Sequence, residues 1–186
     1  MEWGHGGDVK GYALQYGRKP LDFSANVSPF GVPEGVKQAV MDSLAWGAEY
    51  PDPLCRELRQ ALGEHLGLPA EWILCGNGAS DLLFRLAGAV KPKRALLTAP
   101  AFSEYEGALR PHQCQLDRFP LRAENGFCLT EEFLNWSRPE TDLIFLCQPN
   151  NPTGRTTDRA LLLCILRRCR ETKTILALDE CFLDFV

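Results

Sequence analysis

No stretch of this 186-residue chain approaches the length and apolarity of a membrane-spanning helix. Its opening, MEWGHGGDVKGYALQYG, lacks the basic segment and apolar run of a secretory leader, so a cytoplasmic protein with no membrane partner is expected. There is no block of like charge either. Twenty Lys and Arg stand scattered against 24 Asp and Glu, for a net charge of −4, which excludes the cationic footprint of a nucleic-acid binder. The eight cysteines form no CxxC pair, which leaves no sign of a metal site or a redox motif. They lie mostly in apolar runs such as WILCG and LIFLC, where a thiol serves as a small core residue, and buried thiols are therefore expected. Internal repeats and low-complexity segments are missing too. What remains, 45% hydrophobic and 24% charged residues, is the composition of a globular protein whose partners are small molecules.

The periodicity changes partway along. The first part predicts a helix over 8–16, an extended segment PLDFSANVSPFGVP, and helices near 34–46 and 54–66. From residue 72, short apolar runs alternate with amphipathic helices. WILCG precedes a helix at 79–90, RALLTAP one at 102–110, CQLDRFP one at 130–136 and DLIFLCQP one at 157–170, and TILALD closes the series. Such alternation predicts an α/β fold, a mainly parallel sheet with helices on both faces. Residues 1–70 read as an arm and helical segment, and 71–186 as the part that builds the sheet. No helix follows TILALD to cover the last strand, so the chain is expected to be the front portion of a larger fold.

Four stretches carry chemistry. LCGNGASDLLFRLA has the form of a strand, a Gly-rich turn and a helix start. Gly76 and Gly78 permit a tight turn, and the free N–H groups of the first helical turn suit a phosphate, although an ordinary strand-to-helix connection has the same look. APAFSEYEGALR places Phe102 and Tyr105 just past a strand end, where an aromatic either stacks on a planar ring or joins the core. CQPNNPTGRTT sets two asparagines in a rigid turn, from which an amide can donate to a fixed acceptor. TILALDE delivers Asp179 and Glu180 to a strand end, where a carboxylate binds metal, acts as a base, holds a proton on a ring nitrogen or is simply solvated. Taken in order at successive strand ends, a phosphate turn, an aromatic, an amide and a carboxylate describe a site for a phosphorylated aromatic cofactor.

The ordered set GNGAS, PAFSEYE, PNNPTG and LDECFLDF resembles the large domain of fold-type I pyridoxal-phosphate enzymes of the aminotransferase class I/II group. The segments HGGD, LDFSANVSPFG, YPDP, FSEYE and DECFLDF are most similar to the branch that decarboxylates threonine phosphate in cobalamin biosynthesis, with the histidinol-phosphate aminotransferases close by. The resemblance implies pyridoxal 5'-phosphate as cofactor, a small phosphorylated amino acid as substrate, a homodimer and no metal. It implies that Gly78, Ala79 and Ser80 hold the phosphate, that Phe102 lies on the pyridine ring and that Asn151 donates to the ring's phenolic oxygen. Asp179 would pair with the ring nitrogen, and Tyr50 would reach the phosphate of the neighbouring subunit. His5, Gly6 and Asn26 would touch the substrate. Two departures stand out. Phe182 occupies a position where the aminotransferases carry a tyrosine that also contacts the ring oxygen. The six lysines, at 10, 19, 37, 91, 93 and 173, all miss the position of the family's Schiff-base lysine, which lies beyond the aspartate strand. A catalytically inactive cofactor-binding module is therefore the other expectation.

Overall fold

Four strands, β1 (Arg94–Ala99), β2 (Gln115–Pro120), β3 (Leu143–Cys147) and β4 (Ile175–Asp179), form one sheet in the order β2-β1-β3-β4. Every pairing is parallel. The structure is a computed structural model that describes residues 6–186, and the chain divides into one unit ending at Cys75 and another spanning Gly76–Val186. Each strand in the second unit is reached through a helix: α4 (Gly78–Val90) leads to β1, α5 (Glu104–Leu109) to β2, α6 (Phe133–Trp136) to β3 and α7 (Arg159–Thr172) to β4. The last three are the crossover connections that parallel strands require.

Alternation along the strands assigns the faces. Ala95, Leu97, Leu143, Phe145 and Cys147 point to one side and pack with Leu83 and Ala87 of α4 and Tyr105, Ala108 and Leu109 of α5. Leu96, Ile144 and Leu146 point to the other, against Phe133 of α6 and Leu161, Ile165 and Cys169 of α7. The central strand β3 is buried along its whole length, as its uninterrupted apolar sequence requires of a strand covered on both faces. The expected α/β sheet with two helical layers is therefore what the chain forms.

At the amino-terminal edge of the sheet the Asp142 carboxylate accepts from the backbone N–H groups of Lys93, at 2.7 Å, and Arg94, at 3.0 Å. Arg94 also pairs with Asp117 at 2.7 Å, both side chains being largely covered. The Asp142 bonds fix the start of β1 against β3, and the Arg94–Asp117 pair ties it to β2. An Asp142→Ala chain is expected to lose about 1 kcal/mol or more, the cost of leaving the partly buried Arg94 N–H and the exposed Lys93 N–H without their charged acceptor. A urea midpoint within error of the parent would refute that.

Two expectations fail. WILCG forms no strand: a 3-10 turn occupies Ala70–Trp72, and residues 73–77 belong to no helix or strand. Too few residues separate that turn from the Gly76–Gly78 turn for a ladder to offset its ordering cost. The cysteines are not generally buried either. All eight are free thiols, only Cys147 and Cys169 are buried, Cys181 is exposed, and the other five are half-covered, four of them in turns and loops between elements and Cys164 within α7.

The first unit is helical, with α1 (Val9–Tyr16), α2 (Glu34–Ser43) and α3 (Arg56–Leu66). Asp8 caps α1 by accepting from the Gly11 N–H at 2.8 Å. Asp52, in the YPDP turn, accepts from the Arg56 N–H at 2.7 Å and so fixes the start of α3.

Candidate functional site

The second unit brings its sequence-predicted residues to one edge. Asp179 ends β4 in register with Cys147 at the end of β3, while the turns holding Phe102 and Asn151 follow β1 and β3. All these lie at the carboxyl ends of parallel strands, where open α/β sheets bind ligands. Helix α4 arrives at the same edge for a reason of length. Its last residue, Val90, falls just before Arg94, so α4 runs antiparallel to β1, and 13 residues of helix span about the same 20 Å as six of strand. The first turn of α4 thus stands level with the end of β1, on the face shared with α5.

That first turn carries no side-chain cap from Asn77. Gly78 has a positive φ of 79° and open space where a side chain would stand, whereas a Cβ at Gly76 would crowd Leu82 and Asp81. Asp81 accepts from the Asn77 N–H at 2.9 Å and pairs with Arg85 at 2.9 Å, and these two partners, the backbone one first, hold its carboxyl below the usual range. The Gly78 N–H donates to the Gly76 carbonyl at 3.0 Å, and the N–H groups that follow it, at the positive end of the helix, suit an anion.

The aromatic pair divides its labour. Phe102 is half-buried, while Tyr105 is wholly buried, stacked on Phe145 with centroids 5.0 Å apart and planes 10° apart, and edge-on to Phe102 at 5.7 Å. The Tyr105 hydroxyl donates to Asp179 Oδ2 at 2.8 Å. Burial above all, then Cys147 and the Asp179 carboxylate, pushes this phenol far above its ordinary value, so it stays a donor. Burial likewise raises the Cys147 thiol, which donates to the Pro149 carbonyl at 3.2 Å. The other Asp179 oxygen, Oδ1, accepts from the Cys181 N–H at 3.1 Å. Each oxygen keeps a further lone pair for a ligand.

The asparagines of PNNPTG also separate. Asn150 is buried and its amide donates to the Pro100 carbonyl at 3.2 Å and to Thr153 Oγ1 at 2.9 Å, which ties this turn to the one after β1. Gln148 braces the other side, accepting from the Thr157 N–H at 2.7 Å. Asn151, half-buried, is the one presented at the edge. Sequence reasoning gave Tyr105 only a choice between stacking and core. Its spacing of three residues from Phe102, across the turn that opens α5, lets the two rings meet, and that was the available signal; the contact with Asp179 spans 74 residues of sequence and left none.

The remaining predicted residues belong to the first unit or fall outside the description. Tyr50 is fully exposed, as is much of Asn26. Gly6 lies so close to the Ser24 carbonyl that a Cβ there would overlap it, and it borders an open hollow with Asp8, Tyr12 and Asp22. That hollow is acidic, so an anionic group entering it would need a cation from elsewhere. His5 lies outside the described residues. Among the described residues, no group of three or more His, Cys, Asp or Glu is placed to hold a metal ion, and no helix is long and apolar enough to cross a membrane.

Comparison with known proteins adds three findings. The family described as aminotransferase class I and II matches residues 18–186. The threonine-phosphate decarboxylase of Salmonella typhimurium is 43% identical, over 98% of this chain and 51% of that protein; a histidinol-phosphate aminotransferase of Bacillus velezensis is 29% identical, over 97% and 51%. Among solved structures, the L-threonine-O-3-phosphate decarboxylase of Porphyromonas gingivalis aligns with a TM-score of 0.74 at 28% identity, covering 88% of this chain and 47% of that one. The chain spans about half the length of the relatives it matches.

Proposed function

Because the chain belongs to the aminotransferase class I and II family, whose members depend on pyridoxal phosphate, we propose that it supplies the cofactor cradle of an enzyme that decarboxylates threonine phosphate. The observation that carries this reading is the placement of Asp179 at the same edge and on the same face of the sheet as the uncapped first turn of α4. A phosphate at one end of a planar ring and a ring nitrogen at the other fit that pair of features.

In this reading Gly78, Ala79 and Ser80 hold the phosphate, Gly78 by shaping the turn and the next two through their N–H groups, the half-buried Phe102 covers one ring face, and Asn151 donates to the phenolic oxygen. Asp179 accepts the proton of the ring nitrogen. When bound, pyridoxal phosphate supplies an electron-withdrawing ring that accepts the electron pair left when a bond at the substrate α-carbon breaks. The chain's own task is to hold that ring protonated and fixed while water is kept from its buried side. Tyr50, with its side chain wholly in solvent, suits a residue that reaches a second subunit, which supports a homodimer. His5, Gly6 and Asn26 are proposed on the substrate side, and the cytoplasm as the place of action.

Two features favour other readings. The similarity to histidinol-phosphate aminotransferases keeps proton loss at the α-carbon as an alternative to loss of carboxylate. The lysines favour a module that binds cofactor without reacting: Lys91, Lys93 and Lys173 precede β1 and β4, at the edge of the sheet opposite Asp179. Titration with pyridoxal phosphate, borohydride reduction and peptide mapping test the cradle. The expected result is reversible binding without a reduced adduct at one unique lysine; such an adduct would show that one of the six serves as the covalent attachment. For the substrate, the cofactor-loaded chain is expected to bind threonine phosphate more tightly than histidinol phosphate, and the reverse order would favour the aminotransferase reading.

A further inference from the structure

A carboxylate at a strand end is not oriented by its own chemistry. The terminal torsion of an aspartate is soft and roughly two-fold, so Asp179 could present either oxygen, or the plane between them, to a ligand. What fixes it is on the page. Its Oδ1 bond, 3.1 Å to the N–H of the exposed Cys181, comes from a residue beyond the strand. Its Oδ2 bond, 2.8 Å to Tyr105, comes from a ring that cannot turn, 1% exposed and clamped between the face of Phe145 and the edge of Phe102.

We propose that Tyr105 is the positioning residue of the site: its hydroxyl sets the plane of the Asp179 carboxylate so that the remaining lone pair meets a protonated ring nitrogen. This inference rests on the assignment of Asp179 to the ring nitrogen made above. Two further observations bear on it. The same Tyr105 ring touches Phe102, so one buried side chain locates both the aromatic that covers the cofactor ring and the acid at its far end. Burial and the adjacent carboxylate disfavour loss of the phenol proton, so the donor persists across the working pH range. A merely structural tyrosine would need its ring and not its hydroxyl.

The test compares pyridoxal phosphate with an analogue that has C–H in place of the ring nitrogen. The parent chain is expected to bind pyridoxal phosphate about tenfold or more tightly than the carbon analogue, the scale of one charge-assisted hydrogen bond. Tyr105→Phe keeps the ring, its stack on Phe145 and its edge contact, and removes only the donor; the preference should fall to about threefold or less. Leu143→Ala weakens the same apolar cluster at the other end of β3, so it should lower the unfolding midpoint and leave the preference intact. A Tyr105→Phe chain that keeps the parent's preference overturns the proposal while the cofactor reading stands. A parent chain with no preference overturns the ring-nitrogen assignment first, before any substitution is made, and the proposal with it. Should Tyr105→Phe fail to fold, the parent itself decides: with tyrosine labelled at the ring carbon bearing the hydroxyl, the Tyr105 signal should move on adding pyridoxal phosphate and hold still with the carbon analogue, and a signal that responds equally to both overturns the proposal.

Discussion

An Asp179→Ala substitution, made in an active form of the enzyme, is expected to cut turnover of threonine phosphate by at least about a hundredfold, as when a preorganised group is removed from the place where charge develops. The reason is positional. Asp179 closes β4 beside Cys147, and its Oδ2 is held by Tyr105 at 2.8 Å, so the carboxylate waits at a fixed point and need not reorganise during the reaction. Alanine leaves the ring nitrogen without a counter-charge and leaves the buried Tyr105 hydroxyl without an acceptor, so the variant should also be less stable by about 1–3 kcal/mol. Asp179→Asn separates the two effects. The amide oxygen can still accept from Tyr105, so stability should largely return while turnover stays low. Activity of the alanine variant within about threefold of the parent, under roughly 1 kcal/mol of barrier, would refute the assignment.

The parts of this site that were legible in the sequence are those whose signal is local. A Gly-rich turn before an amphipathic helix, an apolar run ending in an acid, and PNNPTG after LIFLC each carry their conformation in a few adjacent residues, and α4, β3 and β4 formed within a residue or two of where the pattern put them. The failures had equally local causes. WILCG has a strand's composition but lies between two turns, and composition cannot say that a run is too short to pair. Cys114, Cys128 and Cys164 are half-covered because they lie just before the outer strand β2, in a loop and on α7, positions that composition does not reveal. Tyr105 was hardest to read. Whether an aromatic beyond a strand stacks on a ligand or supports one depends on which face of the sheet its helix covers, and that is decided by strand order, β2-β1-β3-β4, which no local pattern encodes.

That strand order also locates the residue whose loss should hurt the fold most. Phe145 lies in the middle of the central buried strand, paired with Leu97 of β1 on one side and Ala177 of β4 on the other, and is 1% exposed. Its ring is the floor on which Tyr105 lies. Phe145→Ala is expected to cost about 3–5 kcal/mol, the sum of lost apolar burial and a cavity that the flanking strands cannot close without breaking their ladders. Ile175→Ala, on the outer strand and 42% exposed, should cost under about 1 kcal/mol, because only part of the side chain leaves water on folding. Urea denaturation followed by circular dichroism measures both, and a Phe145→Ala loss no larger than that of Ile175→Ala would sink the packing account. The two sites also differ in what else they disturb. With its floor removed, Tyr105 can tilt away from Asp179, so the Phe145→Ala chain should bind pyridoxal phosphate more weakly even at urea concentrations where it remains folded, while Ile175→Ala should bind as the parent does. The core under the first helical face and the orientation of the acid are then one structural unit, joined through a single ring.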